Sequence, residues 1–340
     1  MAIGAGIGAS LGIKTESSWN SVAVPDHFYE FNSESTKYVK NTVVGQGLRA
    51  GGLVPRSQRR VVTTFAASGD FEIDLPSNGL GLLLAHSMGS FPSGTLITAS
   101  SGATPAVYSY AFTLGDPYTK SFTTEVGVPE YDGQMTSKKL TGCKIASFDL
   151  SVGAGDIAKG KFSLDAAGLT QTETSLSATP SYTASTNVFH FAQGTITDGA
   201  VSSPVTYANI KDFDISVDNA LKTDRYNLGS VGAKQEPIIN GFRNITGKIT
   251  AEFTDTVLLA KFIADTTAGL ELTFKGAGIG TAPTVNFEKL IIKLPAVKFD
   301  GDTPAVSGPG VIDVTFNFTA YDDGTNQPLT ITYITTDTAL

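Results

Sequence analysis

The chain repeats one order of elements in its two halves. One copy covers residues 28–168 and the other residues 213–322. Each copy opens with an alternating strand, crosses a long polar loop to a second strand, and passes through an apolar segment before returning to strands. Similarity at this period indicates two copies of one folding unit rather than a solenoid of short repeats. Two copies favour a molecule that occupies two equivalent places in a symmetric assembly; chance likeness between β-rich segments is the alternative.

Each copy contains one apolar segment with helical spacing. In the first copy the spacing predicts a helix over residues 79–88, with Ser77 as its N-cap. In the second copy it predicts a helix over residues 256–264, with Asp255 as its N-cap. Short alternating runs dominate the remainder. The predicted fold class is therefore mainly β, with two tandem units that each carry one short helix.

The boundary between the copies is predicted near residue 185. Residues 170–187 are rich in Ser and Thr, as a linker is. The first domain is then residues 1–185, and it includes an insertion at about residues 90–120 that the second copy mostly lacks. The second domain is residues 186–340. A chain of 340 residues is long enough for two domains of ordinary size.

Composition narrows the possible functions. Charged residues make up 16% of the chain, less than the quarter that is usual, as on surfaces that neighbouring molecules cover. The net charge of −8 argues against a protein held to nucleic acid by phosphate contacts. The single cysteine, Cys143, excludes an internal disulfide and is predicted to fill a buried place in a strand.

Chemistry-bearing motifs are missing. The three histidines have no metal-ligand spacing, and no serine lies in a nucleophile elbow. The sequence therefore predicts no catalytic residues, no metal, no cofactor and no enzyme activity. No apolar run reaches the ~18 residues of a membrane span, so no membrane contact is predicted.

A basic loop is the main charged feature. Six basic residues and no acid lie between residues 37 and 60, and the intervening glycines indicate an extended loop. Because arginine forms strong bidentate pairs with carboxylates, we expect this loop to contact an acidic neighbouring subunit. A solvated loop is the alternative. Counting the matching loop of the second copy, the predicted contact residues are Arg49, Arg56, Arg59, Arg60, Arg225 and Arg243.

Two strands alternate apolar residues with acids. Alternation of this kind predicts a strand with one face in the core and one face in water. The acids of the wet faces are Asp70, Glu72 and Asp74 in the first copy and Asp212, Asp214 and Asp218 in the second.

Several short motifs occur in a familiar order. The first half has GASLGIK at 8–14, FNSES at 31–35, GLRAG at 47–51 and GLGLLL at 79–84. The second half has DNALKTDRY at 218–226 and a Glu-Pro pair at 236–237. In this order they resemble the major tail tube proteins of long-tailed, non-contractile phages, over nearly the whole chain.

The resemblance implies both a fold and an assembly. The units would be β-sandwiches or half-barrels, related in fold to the inner tube of type VI secretion. In that family neighbouring subunits join their sheets into an inner barrel, and the rings stack into a tube that carries DNA to the host. Two units per chain imply a trimeric ring with pseudo-sixfold symmetry. A ring of six chains is the alternative.

The resemblance also implies partners and a location. Beyond copies of itself, the protein would meet other tail proteins such as the tape measure and the tail terminator. It would be made in the host cytoplasm and reside in the virion tail, and genomic DNA would pass through without specific binding. The six strand acids are then candidates for the lumen, where repulsion of phosphate lowers friction; the same faces could also point outward. The alternative function is a β-sandwich surface or carbohydrate-binding module of a virion or cell surface.

Overall fold

The structure is a computed structural model of the 340-residue chain. It describes residues 5–102, 104–130, 134–173, 175–183, 187–199, 203–207, 209–254, 256–280, 285–301, 303–306 and 308–340. Within these ranges the protein is built mainly from antiparallel strands, with two short α-helices. Neither helix is long and apolar enough to cross a bilayer.

The first half contains eleven strands and one α-helix in its described part. The strands are β1 (Ser10–Thr15), β2 (His27–Tyr29), β3 (Ser33–Glu34), β4 (Lys37–Val44), β5 (Arg60–Asp74), β6 (Thr95–Thr98), β7 (Val107–Thr113), β8 (Phe122–Pro129), β9 (Met135–Val152), β10 (Lys159–Ala166) and β11 (Gly168–Glu173). The helix is α1 (Gly81–Met88).

The second half contains nine further strands and one α-helix among the described residues. The strands are β12 (Gly194–Thr197), β13 (Ile210–Asp218), β14 (Leu221–Lys222), β15 (Ile238–Ile239), β16 (Asn244–Glu252), β17 (Ala268–Ile279), β18 (Asn286–Gly301), β19 (Asp313–Ala320) and β20 (Thr330–Thr335). The helix is α2 (Val257–Ile263). The predicted fold class, mainly β with one short helix in each half, is confirmed.

One sheet runs through both halves. Its strand order is β4–β5–β10–β9–β13–β16–β19–β18, with β3 also paired to β5. All neighbours are antiparallel. Because β9 belongs to the first half and β13 to the second, their pairing joins the halves edge to edge. We call this sheet the continuous sheet.

Each half carries further strands behind the continuous sheet. Behind the first half they run β2–β1–β8–β9–β11. Behind the second half they run β12–β17–β18–β20–β7–β6, where β6 and β7 come from the first half of the sequence. The long strands β9 and β18 take part in both layers. The hairpin β6–β7 lies in the predicted insertion at residues 90–120, and β7 pairs with the C-terminal strand β20. The insertion therefore contacts the second half.

The two halves place their strands in the same order. In the first half β10 lies between β5 and β9, and in the second β19 lies between β16 and β18. Gly69 of β5 and Gly247 of β16 occupy matching positions. A Cβ at Gly69 would lie 2.4 Å from the Cα of Thr36, and a Cβ at Gly247 would lie 2.2 Å from the carbonyl oxygen of Asp214. The domain boundary near residue 185 stays a prediction.

The core lies on one face of the continuous sheet. Phe71, Phe162, Phe148 and Val217 are opposite one another on four successive strands, and all four are buried. The rings of Phe71 and Phe162 stack with centroids 5.3 Å apart. Aromatic pairs of this kind add ~1 kcal/mol each to the energy of burial. This row of side chains crosses from the first half into the second, so the halves share one core.

The helices begin slightly inside the predicted limits. The N-cap of α1 is Leu80, whose side chain makes no capping hydrogen bond, so the prediction of Ser77 as cap is wrong. The carbonyl oxygen of Ser77 instead accepts a hydrogen bond of 2.7 Å from the Tyr333 hydroxyl. Helix α1 ends at Met88, and the following Gly89 has a φ of 69°, the left-handed geometry that glycine favours. The predicted cap of α2, Asp255, lies outside the described residues.

Candidate assembly surface

Cross-strand rows bring the predicted acids together on the outer face of the continuous sheet. Asp70 lies opposite Ser163, Ser163 opposite Ser147, and Ser147 opposite Asp218. Residues directly opposite in antiparallel strands share a face. Since strands are ~4.8 Å apart, three strand steps place Asp70 and Asp218 roughly 14 Å apart.

A second row connects the other acids in the same way. Asp74 lies opposite Lys159, Lys159 opposite Ser151, and Ser151 opposite Asp214. Glu72 alternates with the core residues of β5, and Asp212 with those of β13. We call this surface the acidic face. The six predicted acids that lie on it are Asp70, Glu72, Asp74, Asp212, Asp214 and Asp218.

Lysines partly neutralise the acidic face. The Nζ of Lys161 lies 3.4 Å from a carboxylate oxygen of Asp70, and the Nζ of Lys248 lies 3.5 Å from one of Asp214. Both pairs are solvent-accessible, so each contributes little to stability. The strand register adds acids that the sequence pattern did not indicate: Asp149, Glu252, Asp300 and Asp313. Acids therefore outnumber lysines on this face.

The pairing of β9 with β13 forms an internal joint between the halves. Its six rungs run from Val152 opposite Phe213 to Ser147 opposite Asp218. Beyond the last rung, the side-chain amide of Asn219 donates to the carbonyl of Ile145 at 2.9 Å. The joint is therefore closed by backbone pairing and by a buried side chain.

A loop of the second half, residues 219–243, reinforces the internal joint with buried charges. Lys144 of β9 is almost fully buried, and its Nζ lies 2.7 Å from Oε1 of Glu236 in the loop. Glu236 also accepts a hydrogen bond of 2.6 Å from the backbone N–H of Thr119, and Lys144 donates to the carbonyl of Pro117. Burial lowers the pKa of Lys144, while Glu236 opposes that shift. The pair links the loop to the first half.

A second buried pair, Lys234 with Asp165, lies in the same contact. Burial raises the pKa of the Asp165 carboxyl, and Lys234 acts in the other direction. Arg243 donates to the carbonyls of Met88, at 3.3 Å, and Gly115. Together these contacts hold the loop of the second half over the end of α1.

The two predicted contact arginines of the second half donate their hydrogen bonds to carbonyls of the same chain. Arg225 donates to the carbonyl of Glu236, inside its own loop. Arg243 reaches the first half, where it contacts carbonyl oxygens. The contact that was predicted between subunits has a counterpart between the two halves of one chain.

The matching loop of the first half connects β4 to β5 and is exposed. It carries the other predicted arginines, and its side chains Leu48, Leu53 and Val54 are largely accessible to solvent. The guanidinium of Arg59 lies against Gly47, and Arg60 lies within 3.5 Å of the Thr42 hydroxyl. In the described part of the chain, only its base is held by the second half, where the backbone N–H of Phe65 donates to the carbonyl of Gly232 at 3.1 Å. A two-stranded ribbon is marginal in water where it has no surface to pack on. We call residues 40–65 the basic hairpin; its exposed arginines are Arg49, Arg56, Arg59 and Arg60.

Comparison with known proteins decides the family. The sequence profile described as phage tail tube protein matches residues 6–320. The chain belongs to the phage tail tube protein family. The predicted resemblance is confirmed, and the protein is a structural component of a phage tail. No curated protein matches the chain.

The continuous sheet has two outer edges, and no local sequence pattern predicts which strands form them. In the described part of this tail tube protein, β4 pairs only with β5, and residues 298–301 of β18 pair only with β19. Tyr38 on β4 is 45% exposed although the matching position on β13 is the buried Val217. Only the strand register reveals this match, so sequence reasoning missed Tyr38.

Buried titratable groups of this tail tube protein serve packing. The His86 ring lies in the core with Nε2 2.9 Å from the Thr15 hydroxyl, and burial lowers its pKa to about 3. Burial raises the pKa of the Cys143 thiol to about 12. Among the described residues, no three His, Cys, Asp or Glu side chains are grouped as metal ligands.

Proposed function

We propose that the protein assembles into closed rings that stack into the phage tail tube, through which DNA reaches the host. The observation that carries the proposal is the internal joint, in which β9 of one half pairs with β13 of the other. Membership of the tail tube family supports it. The preferred ring contains three chains, because each chain already holds two matching units; a ring of six chains is the alternative.

An external joint with the same geometry as the internal one would use the two outer edges of the continuous sheet. Strand edges exposed in this way pair readily with another chain. Counted from the matched glycines of β5 and β16, Tyr38 corresponds to Val217, and Gly301 corresponds to Phe148. The external joint therefore places Tyr38 of one chain opposite Gly301 of the next, and Val39 opposite Asp300.

Side-chain size supports this register. The internal rung sets the large ring of Phe148 opposite the smaller Val217. The external rung sets the large ring of Tyr38 opposite Gly301, which has no side chain. In the internal rung the larger side chain is on the strand of the first half, and in the external rung it is on β4. The Tyr38 ring covers the space that the glycine leaves empty. Burial of its exposed surface favours association.

The acidic face is the proposed lumen wall. It lies opposite the shared core, and it continues across the internal joint without interruption. An excess of acids repels DNA phosphates, so the DNA slides without binding specifically. At the ends of the tube we expect contacts with other tail proteins, such as the tape measure and the tail terminator.

A cysteine pair tests the external joint. The double variant Val39→Cys, Asp300→Cys places thiols at opposite positions in adjacent strands, within the range of a disulfide. Native Cys143 is fully buried and its thiol has a raised pKa, so it stays unreactive. Oxidation of the assembled protein should give a closed covalent trimer, seen on a denaturing gel without reductant.

A matched control uses Val39→Cys with Lys298→Cys. This pair lies on the same face but is shifted by two residues, or roughly 7 Å along the strand, and should give little product. Covalent hexamers would show that the ring contains six chains and not three. Equal products from both pairs, or monomers only, would contradict the proposed joint. Electron microscopy of the same samples shows whether rings and tubes form.

A further inference from the structure

The two helices of the protein are covered to very different extents. All eight residues of α1 are buried. In α2 only Leu258 is buried, and Ile263 at its end is 67% exposed. Both helices follow matching strands, β5 and β16, so the difference does not come from their place in the fold. It comes from what covers them.

Helix α1 packs on β7 and β9 and against Leu340, and the loop at residues 219–243 covers its C-terminal end. The side-chain amide of Asn219 donates to the Ser87 carbonyl at 3.0 Å, and Arg243 donates to the Met88 carbonyl at 3.3 Å. The last carbonyls of a helix have no partner within the helix, and a cation at that end also interacts favourably with the helix dipole. The loop thus adds hydrogen bonds at the end of α1 from the other side of the internal joint, where the Met88 carbonyl also accepts the backbone N–H of Gly115 at 2.9 Å.

The corresponding loop of the first half is the basic hairpin. Residues 219–243 connect β13 to β16, and residues 40–65 lie at the matching connection between β4 and β5. The basic hairpin is exposed and combines arginines with apolar side chains such as Leu53, which is 99% exposed. In its place in the fold and in its arginines it is the counterpart of the segment that covers the end of α1, although it lacks that segment's acids.

The end of α2 carries a negative charge, opposite to that of the arginines in the basic hairpin. Asp265 has a φ of 47°, the left-handed geometry just beyond the helix, and its side chain is 74% exposed. A carboxylate is unfavourable at a helix C-terminus unless a cation accompanies it. Lys298 supplies one cation, with Nζ 2.7 Å from Oδ2 of Asp265. The carbonyls of Lys261 and Phe262 already accept the backbone N–H groups of Thr266 and Asp265. An arginine beside Asp265 and Lys298 would therefore contact the carboxylate.

We infer that α2 and Asp265 form the docking surface for the basic hairpin of a second copy of this chain. The second copy is the one whose β4 pairs with β18. Within the chain, β13 and the loop at residues 219–243 that follows it both contact the first half, so we expect β4 and the basic hairpin to contact one and the same neighbouring chain. The inference rests on the proposed ring and adds to it: each external joint consists of a strand pairing and a covered helix. The arginines bind the end of α2, and Leu53 and its neighbours cover its apolar side.

Photocrosslinking on the cysteine-linked protein tests the docking surface. A p-benzoylphenylalanine placed at Leu53, in the variant with Val39→Cys and Asp300→Cys, is irradiated after oxidation, and the linked peptides are identified by mass spectrometry. The expected link joins residue 53 to residues 257–266 of the adjacent chain. Disulfide-linked trimers with photocrosslinks elsewhere overturn the inference and leave the ring intact. Absence of the disulfide itself refutes the proposed external joint.

A charge substitution gives an independent measurement. Ile263→Lys adds a cation where the basic hairpin docks, on a side chain that is already exposed, so the monomer should fold normally. Losing one apolar contact of about 1.5 kcal/mol corresponds to about a tenfold weaker association. Val22→Lys, at a similarly exposed position of 64% in the first half, should change association less than about twofold. Equal effects of the two variants, measured by sedimentation, overturn the inference.

Discussion

Removing the charge of Glu236 tests whether the buried pair with Lys144 holds the halves together. In Glu236→Gln the amide still accepts the Thr119 hydrogen bond, but the almost fully buried Lys144 ammonium loses its counter-charge. Breaking a buried pair by removing one partner costs about 3–5 kcal/mol. Such a loss is a large fraction of the stability of an ordinary domain.

The single tryptophan makes this loss measurable at the joint. The centre of the Trp19 ring lies 5.9 Å from the Nζ of Lys144, so its fluorescence reports on the contact. Urea unfolding of Glu236→Gln, followed by fluorescence and by far-UV circular dichroism, should show a lower midpoint. We expect the fluorescence transition to come first, because the loop detaches before the sheet unfolds.

Asp224→Asn is the matched control in the same loop. Asp224 pairs with Lys222 at 2.7 Å, but the pair is exposed, so its loss should leave the midpoint unchanged. The double change Lys144→Met, Glu236→Leu removes both charges and should recover most of the stability. If Glu236→Gln and Asp224→Asn behave alike, burial of the charge pair does not stabilise the joint.

Three further changes test other parts of the structure. The folded state keeps His86 neutral with a pKa of about 3, whereas the unfolded chain binds a proton below pH ~6.5, so acid lowers stability. Between pH 7 and pH 5 this group should cost about 2 kcal/mol in urea titrations, and His86→Gln should lack that part of the loss. Gly247→Ala sets a Cβ 2.2 Å from a backbone carbonyl and should lower the unfolding midpoint strongly, whereas Gly168→Ala, with open space around it, should not. Replacing the three acids of β5 on the acidic face by amides should slow DNA ejection from assembled particles without changing monomer stability; unchanged ejection contradicts the proposed lumen wall.

Local patterns predicted the parts of the fold that depend on neighbours in sequence. Alternation in β5 placed Phe71 and Ile73 in the core and the intervening acids outside, as the burial confirms. The apolar run before Met88 predicted α1 within two residues of its start. The predicted cap was wrong because α1 begins only at Gly81. The backbone carbonyl of Ser77 accepts a hydrogen bond from Tyr333, a residue far along the chain whose position no local signal indicates.

Contacts across the chain were beyond the reach of local patterns. The register of β9 on β13 and of β7 on β20 is set by packing between distant segments, and a one-residue shift would exchange the faces. For the same reason the sequence offered no sign that Lys144 and Glu236 meet. The candidate acids were visible as an alternating pattern, but their arrangement on one surface required the register of the intervening strands.

The strand pairing between β9 and β13 changes how association depends on dilution. Because both strands belong to one polypeptide, this contact forms during folding at any protein concentration. The fraction of molecules that form a contact with a separate molecule rises only as their concentration rises. In the proposed ring, three such chains have half as many contacts between separate molecules as six single-unit chains would have, so this ring would form at a lower protein concentration.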